Sequence, residues 1–204
     1  SYAAVSGDFF YPKKIDHDSA CLFFGDSCGH GLPAALISMR IIGLIQSIPL
    51  PANSPLEYLT GISNDIRDVL PQGRYVAGNY TIFNKKGFIV SNGGQPCPVL
   101  LSQGTVRRLD ITGHPLGIML KPNFTEIEMD MKPKDKLILY SDGITGIVNE
   151  QGDRFGTDRL LKCLQDNNTC SAQLLKDKVA EAINLFTGNT PPSDDMTMII
   201  IEKR

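Results

Sequence analysis

Residues 18–48 read DSACLFFGDSCGHGLPAALISMRIIGLIQSI and contain two elements joined by a glycine-rich turn. The run 18–25 is short and apolar and ends in Gly-Asp, which predicts a buried strand. The glycines that follow, and Pro33 in a plausible first helical turn, predict a helix directly after the turn. This helix is apolar on nearly every face, so we expect it to be buried in the core.

The rest of the chain predicts blocks of helices and strands rather than a strict alternation of the two. The tetrapeptide 54–57 (SPLE) is a capping box with proline at the first helical position, which predicts a helix that ends near Leu70. Short β-rich runs between turn signals predict strands over 75–83, 88–91, 99–102, 106–110, 124–131 and 136–140. Two more helices and a last strand are predicted over 157–165, 171–186 and 196–202. This order predicts an α+β fold in which helix pairs cover mainly antiparallel sheets.

Composition excludes several classes of protein. The length of 204 residues suits one domain with a full hydrophobic core. The net charge of −2, without a lysine or arginine cluster, gives no sign of nucleic acid or an anionic membrane as a partner. The longest apolar stretch, 32–50, contains Arg40 and Gln46, which favours a core helix over a membrane span. Five scattered cysteines without a CxxC argue against a zinc site or a disulfide framework and favour a reducing cytosol.

Four acidic positions share one kind of setting beside an apolar run. Asp26 follows CLFFG, Asp142 follows KLILYS, and the pair Asp194-Asp195 precedes MTMIII, while Asp8 stands before two phenylalanines. A carboxylate among buried residues is unfavourable unless it is paired. A shared divalent cation would neutralise several carboxylates at once, and an all-oxygen ligand set suits Mg²⁺ or Mn²⁺ better than zinc.

These acids predict a metal-dependent hydrolase. Two cations about 3.5–4 Å apart can activate a bridging water and hold phosphate oxygens, so no side-chain nucleophile is needed. None stands out in the sequence, because Cys28 lacks a C-x5-R loop and Ser27 lacks an evident His/Asp triad. His30 is a candidate for proton transfer, and a structural histidine at the helix entry is the alternative. For any single aspartate, a simple Asp-Gly turn is also an alternative.

Several segments resemble, in the right order and over nearly the whole chain, the signatures of the PPM (2C-type) phosphatases in their bacterial SpoIIE/RsbU-like branch. The similar segments are Gly7–Phe10, Gly25–Leu36, Ser91–Pro96, Pro115–Gly117, Tyr140–Thr145, Phe155-Gly156 and Asp194–Thr197. One of them departs from the family pattern, because Gly94-Gln95 stands where that branch usually has Gly-His. The histidine of this loop is therefore missing.

The resemblance implies a four-layer α-β-β-α sandwich and hydrolysis of phosphoserine or phosphothreonine that depends on two Mn²⁺ or Mg²⁺ ions. Carried over position by position, Asp8, Asp26 and the backbone carbonyl of Ser27 would hold one ion. Asp26, Asp142 and Asp194 would hold the other. These four aspartates are the expected catalytic residues, and family usage favours the first acid of the final pair over its neighbour.

The resemblance also implies partners and a cellular setting. Typical substrates of the branch are phosphorylated anti-sigma-factor antagonists, and the phosphatase domain is usually fused to a sensor. We therefore expect residues 1–204 to form one phosphatase domain of a longer protein, which is cytoplasmic or the cytoplasmic part of a membrane-anchored sensor. Asp195 and His30 are expected to have secondary roles. Two alternatives stay open, an inactive module of the same fold that binds partners in a signalling switch, and a metallohydrolase acting on nucleotides, although no P-loop is present.

Overall fold

Two antiparallel sheets with helices packed against each make up the structure, a computed structural model that describes residues 6–48 and 54–204. In chain order its elements are β1 (Asp8–Lys14), β2 (Ala20–Ser27), α1 (Leu32–Ser47), α2 (Pro55–Val69), β3 (Val76–Phe83), β4 (Gly87–Gly93), β5 (Val99–Ser102), β6 (Thr105–Arg108), β7 (Glu126–Asp130), β8 (Lys136–Tyr140), α3 (Asp142–Gly146), α4 (Gly156–Asp166), α5 (Ala172–Thr187) and β9 (Met198–Glu202). The chain divides into two compact units, Ser1–Gln95 with Ile111–Asp130, and Pro96–Asp110 with Met131–Arg204.

The first unit is built on a sheet of order β1-β2-β3-β4-β7 in which all neighbouring strands are antiparallel. Helices α1 and α2 pack against strands of this sheet. Cys21–Gly25 of β2 are all buried, which explains why this strand is a continuous apolar run rather than an alternating one. The core beneath the helices includes Phe23, Ile41, Ile62 and Tyr80.

The second unit is built on a sheet of order β6-β5-β8-β9, again antiparallel throughout. Every residue of β8 is buried, as expected for an inner strand. Helix α5 packs against β9, and α4 packs against β6 and α5. The core of this unit includes Ile138, Leu160, Leu164 and Leu175.

The fold class predicted from the sequence is confirmed: the protein is α+β, with two antiparallel sheets that carry helix pairs. The N-cap of the predicted capping box is found, because Ser54 Oγ accepts a hydrogen bond of 3.1 Å from the backbone N–H of Glu57. Two elements were not predicted, the strand β1 and the short helix α3.

The prediction that the first helix is buried on all sides is wrong. Leu32, Leu36 and Met39 of α1 are 62%, 58% and 71% exposed. Their spacing of four and three residues places them on one stripe of the helix, while Ala34, Ile37 and Ile41 on another stripe are buried. An apolar helix sequence therefore did not mean a fully enclosed helix.

Across the described ranges, no helix combines the length and the apolar character that a bilayer span requires.

Candidate functional site

In the first unit, Asp8 and Asp26 lie directly opposite each other across the β1–β2 ladder. Opposed residues of antiparallel strands point to the same face, with their Cβ atoms about 4.5–5.5 Å apart. Both aspartates are half-buried, and the Oδ2 atom of Asp8 is buried. Like charges in this arrangement are destabilising by themselves, so the pair favours a cation between the carboxylates.

Gly7 leaves room for two oxygens of this site to converge. A Cβ atom at Gly7 would lie 2.8 Å from the carbonyl oxygen of Ser27 and 3.1 Å from Oδ1 of Asp26. The two atoms that the sequence predicted as ligands thus border the same small space beside Gly7. Their oxygen chemistry suits Mg²⁺ or Mn²⁺, so the residues present fit the expected metal.

Ser38 of α1 fastens this segment to the helix. Its buried hydroxyl donates to the carbonyl oxygen of Gly7 at 2.7 Å and lies 3.0 Å from Oγ of Ser27 and 3.1 Å from the carbonyl oxygen of Ala34. The backbone N–H of Ser27 also donates to the carbonyl of Gly7, at 3.1 Å. Ser38 was not predicted from the sequence, where its only signal is a serine at a position that falls on the buried stripe of an apolar helix.

Removing the Ser38 hydroxyl is expected to weaken this part of the site. Ser38→Ala should lower the free energy of unfolding by about 1–2 kcal/mol, because buried groups lose a hydrogen-bond partner. Urea unfolding measures the change. The control is Ser47→Ala on the same helix, where an exposed hydroxyl donates to the carbonyl of Leu44, and where we expect a change of less than about 0.5 kcal/mol. Equal unfolding free energies for the two variants would contradict the assigned role of Ser38.

In the second unit, Asp142 and Asp194 form another acidic pair. Asp142 opens α3 just after β8, and Asp194 lies shortly before β9, the antiparallel neighbour of β8. Burial, and after it the negative charge of Asp194, raises the pKa of Asp142. Within residues 6–48 and 54–204, neither carboxylate has an ion pair with a lysine or an arginine. A bound divalent cation would favour the ionised form of Asp142 and would so offset the effects of burial and of the Asp194 charge on its pKa.

Ser141 and Gly143 fix the segment that carries Asp194. Ser141 Oγ donates to the carbonyl oxygen of Asp195 at 3.3 Å and accepts from the N–H of Thr197 at 3.0 Å. A Cβ atom at Gly143 would lie only 2.0 Å from the same carbonyl of Asp195. The Ser-Asp-Gly tripeptide is therefore needed for close packing as well as for its acid, and Asp195 takes part through its backbone.

The structure brings the predicted site residues together in pairs. Asp8 lies opposite Asp26, and Asp142 lies near Asp194. In the described part of either unit, no three His, Cys, Asp or Glu side chains gather as a ready metal cage. Each unit thus supplies one pair of acids, and the prediction that Asp26 serves both ions stays a prediction.

Two other positions singled out in the sequence have different settings. His30 is exposed in the loop between two glycines of positive φ, so a role in proton transfer stays a prediction. Gln95, which replaces the usual histidine, is buried, and its Nε2 donates to the carbonyl of Ala77 at 3.2 Å. Ala77 is the cross-strand partner of Asp26. Gln95 therefore braces the strand that lies beside Asp26.

Comparison with known proteins identifies related sequences. The family model described as Stage II sporulation protein E (SpoIIE) matches residues 16–204. The chain is 24% identical over 204 residues to the phosphoserine phosphatase RsbU of Bacillus subtilis, which covers 98% of this chain and 60% of that protein. It is 22% identical over 205 residues to the phosphoserine phosphatase RsbP of the same organism, covering 97% of this chain and 49% of RsbP. The chain thus spans roughly half of the length of these curated relatives.

Solved structures share the fold. The SiaA-PP2C domain of Pseudomonas aeruginosa superposes with a TM-score of 0.80 at 20% identity, covering 98% of this chain and 81% of that one. The PP2C phosphatase domain of SpoIIE from Bacillus subtilis, solved with a fragment of its regulatory domain, gives a TM-score of 0.71 at 18% identity, covering 99% of this chain and 61% of that one. At these identities the likeness establishes the fold.

Proposed function

The chain belongs to the SpoIIE family of PPM-type phosphatases, and we propose that it hydrolyses phosphoserine or phosphothreonine on a protein with the help of Mn²⁺ or Mg²⁺. The observation that carries the proposal is the pairing of acids in each unit, Asp8 with Asp26 and Asp142 with Asp194. Each pair places like charges close together, an arrangement that a cation stabilises. The family signatures also occur in the expected order along the chain, which supports a metal site at these same four aspartates.

We assign the ligands by unit. In the first unit Asp8, Asp26 and the carbonyl oxygen of Ser27 would hold metal, and in the second unit Asp142 and Asp194 would do so. Bound divalent ions in such sites supply an activated water and neutralise charge on phosphate oxygens. Two ions are expected, as in the family.

The side chains next to these acids support water as the nucleophile. Ser27 is fully buried and its hydroxyl lies 3.0 Å from that of Ser38, so it does not reach a substrate. The sulfur of Cys28 accepts a hydrogen bond of 3.3 Å from the N–H of Tyr75 in a connecting loop, without a ring of backbone donors for phosphate. Neither Ser27 nor Cys28 is therefore placed to form a covalent phosphoenzyme.

The substrate we propose is a phosphorylated regulatory protein of the anti-sigma-factor-antagonist type. Two relatives are named phosphoserine phosphatases, which supports phosphoserine as the reacting group. A solved structure of similar fold contains the RsbU and RsbW domains of one Mycobacterium tuberculosis protein. Because the chain covers about half of its curated relatives, we also propose that residues 1–204 are the phosphatase domain of a longer protein with a sensor.

A phosphate-release assay tests the proposed function. The chain is incubated with p-nitrophenyl phosphate and with a phosphoserine protein of the antagonist type. We expect release that requires Mn²⁺ or Mg²⁺, stops on chelation, and falls by at least about 100-fold in Asp26→Asn. Lys14→Gln, an exposed change on β1, is the control and should keep the rate. A chain that binds Mn²⁺ but releases no phosphate from either substrate would instead be the inactive binding module.

A further inference from the structure

A cavity of about 410 Å³ in the second unit opens beside Asp142 and Asp194. Its volume lies in the range of pockets that take small ligands or a few residues of a peptide. Apart from glycines and Ile147, its walls are polar and are formed by Asp142, Thr145, Arg154, Thr157, Ser193 and Asp194. The cavity is therefore a polar cleft that contains the acid pair of this unit.

Arg154 is the one basic residue among the residues that line this cleft. Its backbone is held by a bridge to Val148 and by the side chain of Arg159, which donates to its carbonyl oxygen at 2.8 Å. Its guanidinium group makes no hydrogen bond or ion pair with any residue in the ranges that the structure describes. The backbone of Arg154 is therefore held in place, while its guanidinium group is free to bind a ligand in the cleft.

The side chain of the nearby Arg159 differs from that of Arg154 in its contacts. Arg159 also donates to the carbonyl of Phe155 at 3.1 Å, and its guanidinium lies 4.8 Å from the ring centre of Phe186. Through these contacts, Arg159 links α4 to α5. Among the residues that the structure describes, the Arg154 side chain makes no hydrogen bond or cation–π contact of this kind, so such contacts do not explain its position at the cleft.

We propose that this cleft receives the phosphorylated segment of the substrate and that Arg154 binds an anionic group on it. The inference rests on the proposed function. Two carboxylates alone would repel an anionic substrate, whereas a guanidinium binds two oxygens of a phosphate or carboxylate with its parallel N–H groups. The anionic group is either the phosphoryl group or an acidic side chain next to the phosphoserine, because both present the same oxygen geometry.

Steady-state kinetics of Arg154→Gln and Arg154→Lys tests the inference. Three substrates are compared, p-nitrophenyl phosphate, a phosphoserine peptide with neutral neighbours and the same peptide with acidic neighbours. For Arg154→Gln we expect KM to rise about 10- to 100-fold, with kcat within about threefold of the wild type, and Arg154→Lys to recover part of the loss. The control is Arg107→Gln, which removes the same charge at an exposed position of β6 and should leave KM unchanged.

The pattern across substrates distinguishes the two sources of charge. If Arg154 binds the phosphoryl group, KM rises for all three substrates and the inhibition constant of inorganic phosphate rises with it. If it binds a neighbouring acid, only the acidic peptide is affected. An unchanged KM for every substrate, or a fall in kcat alone, overturns the inference.

A binding measurement separates this inference from the proposed function. Fluorescence anisotropy gives the affinity of the acidic phosphopeptide for Asp26→Asn, with and without Arg154→Gln. We expect about 10-fold weaker binding when Arg154 is replaced, and equal affinities overturn the inference. If the wild type shows no turnover, the proposed function fails, and this comparison still decides the role of Arg154.

Discussion

Replacing Asp142 with asparagine is expected to stabilise the metal-free protein while it removes metal-dependent turnover. Burial and the charge of Asp194 raise the pKa of Asp142, so its ionised form is disfavoured in the native state. Asparagine keeps the shape of the aspartate side chain but carries no charge. Because Asp142 is exposed and water screens its charge, we expect a gain of only about 0.2–1 kcal/mol in the metal-free protein. Turnover should fall by at least about 100-fold, because an ion loses an anionic ligand.

The sign of the pH dependence follows from the raised pKa. At a pH above both the native and the unfolded values, the charged carboxylate of Asp142 destabilises the native state. As the pH falls through the raised native pKa, the native state takes up the proton first and this destabilisation disappears. The stability gain of Asp142→Asn should therefore be largest near neutral pH and shrink toward about pH 4, close to the ordinary Asp pKa.

Thermal unfolding in the presence of a chelator, at neutral pH and at about pH 4, measures the stability gain of Asp142→Asn. Asp158→Asn is the matched control, since Asp158 is an exposed acid on α4, and its melting temperature should change by about 2 °C or less. A lower melting temperature for metal-free Asp142→Asn at neutral pH would show that the carboxylate stabilises the native state. Full turnover by the same variant would remove Asp142 from the site.

Gly143→Ala is expected to damage the second unit, because there is no room for the added methyl group. The added Cβ would lie 2.0 Å from the carbonyl oxygen of Asp195, so the backbone on one side must move. We expect a loss of about 2–3 kcal/mol, the upper part of the range for overpacking. This corresponds to a melting temperature lower by about 4–12 °C. Turnover should also fall strongly, because the movement separates Asp142 from Asp194.

Gly146→Ala supplies the control within the same short helix. Outside its own helix, a Cβ atom at Gly146 would meet none of the described residues within 4 Å, so alanine fits without a shift. We expect a change within about 1 kcal/mol, in the stabilising direction if helix propensity dominates. Equal melting temperatures for Gly143→Ala and Gly146→Ala would show that the contact between Gly143 and Asp195 is not required.

Local patterns in the sequence were sufficient to predict most of the elements. The apolar run before Asp26 gave strand β2, and the capping box at Ser54 gave the start of α2. Strand β1 was missed because Pro12 and two lysines interrupt its pattern. Its position at the edge of the sheet explains why proline is tolerated there. Helix α3 was missed because five residues that begin Asp-Gly are too short to show a helical period.

The acids of the site and their grouping around two ions followed from the family resemblance, but the cross-strand register that sets Asp8 opposite Asp26 was not predicted. The opposition of Asp8 and Asp26 depends on the register of the β1–β2 hairpin, which the turn between the strands sets. The close approach of Gly143 to Asp195 joins positions some fifty residues apart, and no local pattern reports such a contact. Arg154 had no signal, since a lone arginine before Phe155 is ordinary in sequence. The structure showed its place in the cleft.

A calorimetric titration with Mn²⁺ tests the central claim most directly, that one pair of acids in each unit holds divalent metal. The wild type, Asp26→Asn and Asp142→Asn are titrated under the same conditions. We predict that the wild type binds Mn²⁺ and that each variant binds fewer ions, or binds them at least about 10-fold more weakly. Binding to both variants with the stoichiometry and affinity of the wild type would contradict the claim.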